Sequence, residues 1–234
     1  MFDQIAGRYD FLNHFLSCGV DISWRRKAVR AIRPTPDMEL LDVCTGTGDL
    51  ALALWKASRR QARVVGTDFS EKMLEVGRKK VERRSAKDQV ELLEADTLAL
   101  PFEDDRFDAV SVAFGLRNVG DTLGGLREMA RVCKPGGLVV VLEFSMPTIW
   151  LIGPIYRWYF LRVLPRLGQI VSRSPESAYE YLPESVSEFP QGKELTSLME
   201  EAGLTNTSFR PLTFGIASLY VSRKPDASAR ESDA

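Results

Sequence analysis

Apolar residues at Phe2, Ile5, Tyr9, Leu12, Phe15 and Leu16 recur at the spacing that places side chains on one face of a helix. A second helical pattern runs from Ile22 to Ile32 and stops at the Pro34/Pro36 break. Together they predict a helical front lobe over residues 1–36. From Glu39 the texture changes. Short apolar runs at Leu40–Val43, Val64–Thr67, Val90–Leu93, Ala109–Ala113 and Leu138–Leu142 end in acids or glycines and alternate with longer amphipathic stretches. A strand covered on both faces is apolar along its whole length, so these runs read as buried parallel strands, each followed by a helix. Right-handed βαβ connections then wind them into one open sheet. Lys134-Pro135-Gly136-Gly137 is expected to stop a helix after Arg131 and to turn the chain into the fifth strand. Glu194–Ala202 reads as a last helix closed by Gly203, followed by strands at about Ser208–Pro211 and Ile216–Val221. The link between those two strands is too short for a parallel crossover, so they must be antiparallel neighbours.

The expected fold class is therefore α/β, a doubly wound, mostly parallel seven-stranded sheet. A length of 234 residues with 44% apolar side chains supports one such domain over 1–224, with a polar tail at 225–234 expected to be disordered. Lysine and arginine total 31 against 32 acids, so the net charge of −1 offers no global field for nucleic acid. The cysteines Cys18, Cys44 and Cys133 have no CxxC spacing for metal or redox work. They read as packing residues of a cytoplasmic protein, no secretory signal opens the chain, and no metal site is expected. The most apolar stretch, Trp150 to Val171, is broken by Arg157, Arg162, Arg166, Pro154 and Pro165 and does not read as a spanning helix.

A ligand is expected where the first strand meets the first sheet-covering helix, in Leu41-Asp42-Val43-Cys44-Thr45-Gly46-Thr47-Gly48-Asp49-Leu50. Gly46 and Gly48 allow close approach of the backbone, and the free N–H groups of a helix start can hold a carboxylate or a phosphate. With Ala51 the string also satisfies the looser dinucleotide fingerprint G-x-G-x-x-A, and Asp68 follows Gly48 by 20 positions. Charge separates the two ligands. Asp42 and Asp49 flank the glycines, which disfavours a pyrophosphate and favours S-adenosylmethionine with its ammonium and sulfonium. Asp68 ends the second strand, where a carboxylate can accept from both ribose hydroxyls, and Asp96, past the third strand, can accept from the adenine amino group. Phe69 and Met73 are placed to cover the adenine, helix packing being the alternative for Met73.

Phe2-Asp3-Gln4-Ile5-Ala6-Gly7-Arg8-Tyr9-Asp10, the run from Leu41 to Leu50, and Phe114-Gly115-Leu116-Arg117-Asn118-Val119 together resemble the bacterial menaquinone and ubiquinone C-methyltransferases. Lys134 to Gly137, Leu142-Glu143-Phe144-Ser145, Leu164 to Gly168 and Tyr181 to Val186 extend the resemblance over nearly the whole chain. It implies that Thr47, Asp68, Asp96 and Thr97 contact the cofactor. A further cofactor position, often serine in that family, is Ala113 here, so a hydroxyl contact is absent there.

The resemblance implies methylation of a ring carbon of demethylmenaquinol, the alternatives being a polyprenyl benzoquinol or another small-molecule acceptor. An aromatic carbon becomes nucleophilic when an adjacent hydroxyl loses its proton. Arg117 is assigned to stabilising that phenolate, since a guanidinium is a poor base at neutral pH. Asn118 stands beside it, and Tyr9 is assigned to orienting the quinol hydroxyl or a water. The structural alternative pairs Arg117 with an acid such as Asp121 and leaves Tyr9 in the core. His14 lies among apolar residues and is not assigned a role. The aromatic stretch from Ile149 to Leu161, within an insertion over 147–190, is expected to form a lid and an apolar path for a lipid tail. Its arginines and tryptophans suit transient peripheral membrane contact. A homodimer is compatible with the sequence, and no Asn-Pro-Pro-aromatic motif for methylating exocyclic amines is present.

Overall fold

The computed structural model of the protein describes residues 19–147 and 184–226. Tyr9, His14, Cys18, most of the 147–190 insertion and the tail from 227 lie outside the described residues. Helix α1 (Val20–Ile32) buries Trp24, Ala28 and Ile32, one residue per turn on a single face. The chain then alternates through β1 (Glu39–Val43), α2 (Asp49–Ala57), β2 (Arg63–Asp68), α3 (Glu71–Arg83), β3 (Val90–Glu94), β4 (Phe107–Ala113), a 3₁₀ turn (Leu116–Asn118), α4 (Thr122–Val132) and β5 (Cys133–Phe144). A helical turn at 184–188 leads to α5 (Lys193–Glu201), β6 (Thr205–Leu212) and β7 (Ala217–Arg223).

The seven strands lie in the order β3-β2-β1-β4-β5-β7-β6. The first five are parallel, and β7 runs antiparallel to both β5 and β6. The expected short link between the last two strands is thus observed, with β7 inserted between β5 and β6. Both faces of the sheet are covered. Leu40 packs with Trp24, Leu54, Trp55 and Leu74 on one side, and its neighbour Leu41 packs with Leu126, Met129, Val139 and Leu195 on the other. This is why the strands carry no polar alternation. The direction of sheet growth reverses between β1 and β4, and the crevice above such a reversal is where ligands bind in open α/β sheets.

One boundary differs from the sequence reading. α4 runs to Val132 and β5 already begins at Cys133, so Lys134 to Gly137 lies inside the strand rather than before it. The pairing with β4 jumps from Phe107↔Cys133 to Ala109↔Leu138. The extra residues are taken up as an irregularity at the rim of the sheet, where a bulge costs little pairing.

Candidate active site

The loop after β1 is shaped from below. Gly46 (φ 57°) and Gly48 (φ 77°) hold the left-handed conformation that a β-carbon penalises, and Gly48 caps α2. Thr45 donates its N–H to the Thr67 carbonyl at 2.8 Å, which ties the loop to β2. Asp42 is only 1% exposed and accepts from Thr45 Oγ1 at 2.7 Å and from Ser111 Oγ at 2.9 Å. Burial pushes its carboxyl up to about 7, against the two hydroxyl donors and the charge of Arg25. Asp49 is paired with Lys80 at 2.7 Å and with Arg25 at 3.7 Å, and Lys80 also donates to Thr47 Oγ1 at 2.8 Å. The expectation that Asp42 and Asp49 offer their charge to a cationic ligand is corrected on both counts. Asp42 is sealed behind Thr45 and Ser111, and Asp49 already has two cationic partners. Carboxylates drawn into a half-buried strand tip need donors or counter-charges of their own.

The two strand-end acids further along are differently placed. Asp68 Oδ2 accepts from the N–H of Gly46 at 2.7 Å and Oδ1 from the N–H of Ser70 at 2.9 Å. These two contacts fix the orientation of the carboxylate at the end of β2. Asp96 is exposed, and its Oδ1 accepts from the N–H of Leu98 at 2.9 Å. Its neighbour Thr97 is buried, with Oγ1 at 3.4 Å from Cys44 Sγ, so the loop after β3 touches the loop after β1. Phe69, beside Asp68, is 78% exposed. Met73 is buried against the underside of the glycine loop, its Cε 3.4 Å from where a β-carbon on Gly46 would stand, which favours the packing alternative. Ala113 ends β4. Burial pushes the thiols of Cys44 and Cys133 up to about 12, in keeping with packing roles.

On the other side of the crevice, β4 and β5 carry an aromatic cluster and a buried ion pair. Phe114 and Phe144 stand 4.4 Å apart between ring centres, and Trp24 of α1 lies 5.9 Å and 6.1 Å from them. Trp24 Nε1 donates to Thr213 Oγ1 at 2.8 Å, which joins α1 to the turn after β6. Phe114 adopts φ 61°, a conformation costly for a bulky residue and one that recurs at functional sites. Gly115 follows, and a β-carbon there would stand 2.3 Å from Cys44 Cβ, so only glycine lets this loop close on the one after β1.

Arg117 donates from Nη1 to Glu143 Oε1 at 2.7 Å and to the Phe114 carbonyl, and its side chain is 5% exposed against 1% for Glu143. The Phe144 ring lies 5.2 Å from the guanidinium carbon. Arg117 Nε is buried with no hydrogen-bond partner. The acid that pairs with Arg117 is therefore Glu143 and not Asp121, whose carboxylate caps α4 by accepting from the N–H of Gly124 at 2.9 Å. Glu143 was missed in the sequence, although an acid closing the otherwise apolar run Leu138–Leu142 was a visible signal. Asn118 is exposed at the end of the 3₁₀ turn.

The profile of the ubiE/COQ5 methyltransferase family matches residues 1–224. The chain belongs to the ubiE/COQ5 methyltransferase family. It is 47% identical over 224 residues to a Geotalea daltonii protein named ubiquinone/menaquinone biosynthesis C-methyltransferase UbiE, covering 96% of this chain and 94% of that one. A Thermus thermophilus demethylmenaquinone methyltransferase is 48% identical over 225 residues, covering 96% and 100%. Among solved structures, a SAM-dependent methyltransferase from Aquifex aeolicus shares the fold of this ubiE/COQ5 family member with a TM-score of 0.61 at 20% identity, covering 85% of this chain and 88% of that one.

Proposed function

We propose that this ubiE/COQ5 family member transfers a methyl group from S-adenosylmethionine to a ring carbon of a prenylated quinol, with demethylmenaquinol as the acceptor. One observation carries the reading: the similarity to proteins named for this methylation covers 96% of the chain. The donor set suits a nucleoside carrying a carboxylate. Asp68, oriented by Gly46 and Ser70, would accept from the ribose hydroxyls, and Asp96 from the adenine amino group. Thr97 and Phe69 would border the base, and Ala113 would leave room beside it. The N–H groups in the first turn of α2 would meet the carboxylate. When bound, S-adenosylmethionine supplies an electrophilic methyl group.

The chain's own residues then have three tasks. Arg117 stabilises the phenolate whose charge makes the ortho carbon nucleophilic. Tyr9 and Asn118 orient the quinol hydroxyl and lead its proton away. The 147–190 insertion, most of which lies outside the described residues, would give the prenyl tail an apolar path on the strength of its aromatic sequence. Among the described residues no helix is long and apolar enough to cross a membrane. The arginines and tryptophans of the insertion support transient peripheral contact with a bilayer that holds the acceptor.

Calorimetric titration tests the donor, with binding of S-adenosylmethionine expected and none of NAD. Mass analysis of quinones from cells lacking the protein tests the acceptor, with demethylmenaquinone expected to accumulate. The name of the Geotalea relative covers ubiquinone as well, so accumulation of an unmethylated polyprenyl benzoquinol would move the assignment to that acceptor. An unchanged quinone pool would overturn both.

A further inference from the structure

We infer that Glu143 is the positioning residue for Arg117: it fixes the guanidinium so that the Nε–Nη2 edge is presented to the oxygen of the acceptor. The inference rests on the proposed role of Arg117 and adds to it the device that makes the role workable. Three contacts converge on one carboxylate. Glu143 Oε1 accepts from Arg117 Nη1 at 2.7 Å and from the N–H of Phe144 at 2.8 Å, while Oε2 faces the N–H of Arg117 at 3.4 Å. The acid thus holds both the side chain and the backbone of Arg117, and is itself fixed by the backbone of its own strand. Arg117 Nη1 is satisfied a second time by the Phe114 carbonyl, and the guanidinium lies against the Phe144 ring.

These contacts use one corner of a planar fork. A guanidinium has two edges able to meet an oxyanion in parallel, and engaging Nη1 leaves Nε with Nη2 as the complete one. Among the described residues Nε has no hydrogen-bond partner and is closed off from solvent, so an acceptor oxygen reaches it only as a neighbouring group moves aside. A buried donor without a partner costs stability in the free protein, and an acceptor oxygen arriving with substrate would relieve that cost. Glu143 has the further effect of balancing the charge of Arg117 in a site where each side chain is almost wholly enclosed. The guanidinium itself is then held in place before the phenolate forms.

Single-turnover methyl transfer to demethylmenaquinol tests this, with pH profiles and a double-mutant cycle. Glu143→Ala is expected to slow transfer about 100-fold, the scale of a misplaced catalytic contact, with S-adenosylmethionine affinity unchanged. The limb of the pH profile set by ionisation of the quinol hydroxyl should move to higher pH, because a loosely held guanidinium stabilises the phenolate less. Glu143→Gln keeps the length and one acceptor oxygen and should recover part of the rate. In an Arg117→Ala background Glu143→Gln should cause no further loss, since a residue acting through Arg117 has nothing left to position. Where Glu143→Ala does not fold, Glu143→Gln and its double variant carry the test. Slow Arg117→Ala combined with parental Glu143 variants, or losses that multiply in the double variant, would overturn the inference and leave the role of Arg117 intact. Parental rates in Arg117→Ala would overturn that role itself.

Discussion

The environment of Asp42 is decided by the strand that lies beside it. Asp42 is paired in register with Ser111 of β4, and the serine hydroxyl is one of its two donors. Nothing in the run Leu41-Asp42-Val43 reveals that neighbour, so the sequence showed an acid beside the glycines but not that it is sealed beneath them. The place of Asp68 was legible because a strand end and a following turn are both local features of the sequence. Burial raises the Asp42 carboxyl from its ordinary 3.8 to about 7, so between those values the folded protein binds more protons than the unfolded chain. Ionising Asp42 therefore removes stability as pH rises through that window. Urea unfolding of Asp42→Asn and parent across pH should show the difference moving in favour of the variant from 3.8 to about 7 and then levelling; a constant difference would show that Asp42 does not titrate in that window. At Asp68 the expectation concerns binding. Asp68→Ala should weaken S-adenosylmethionine by about 1.5–3 kcal/mol, the range for hydrogen bonds to a charged acceptor, as read by calorimetry on folded protein. Undiminished affinity would remove Asp68 from the site.

Elements meet in this crevice through close approaches that a linear reading does not reveal. The strands were visible as continuous apolar runs, because covering on both faces leaves no room for polar alternation. The start of β5 was misplaced because Pro135, Gly136 and Gly137 ordinarily punctuate a turn, and only the pairing with β4 shows them absorbed at the rim. Glu143 escaped notice for the same reason: its partner sits 26 positions earlier, at the tip of the adjacent strand. The contact between the loops after β1 and β4 gives a test at this scale. Gly115→Ala would put a β-carbon 2.3 Å from Cys44 Cβ and should cost about 1–3 kcal/mol of unfolding free energy by overpacking. Cys44 itself has φ 50°, so replacing it with glycine relieves both that strain and the clash. The double variant Gly115→Ala, Cys44→Gly should be more stable than Gly115→Ala alone. A double variant no more stable would mean that the loops part without cost.

At the scale of the whole molecule, the reversal of sheet growth between β1 and β4 places the glycine loop on one side of a crevice and the Arg117–Glu143 pair on the other. α1 is joined to the second side through Trp24, which packs against Phe114 and Phe144 and donates to Thr213. The sequence alone assigns the aromatic stretch of the insertion to the lipid tail. On that reading, replacing Trp158 and Phe160 by serine should raise the KM for a long-tailed quinol while leaving a short-tailed analogue nearly unaffected, since each aromatic contributes roughly 1.5–3 kcal/mol only where matching apolar surface is present. Equal losses for both acceptors would return the stretch to an ordinary packing role. The central claim, methylation of carbon, is tested most directly by a single turnover with isotopically labelled S-adenosylmethionine and demethylmenaquinol, the product being mapped by carbon NMR. The account predicts the label on the ring carbon next to the hydroxyl, and label on a quinol oxygen, or none transferred, would contradict it.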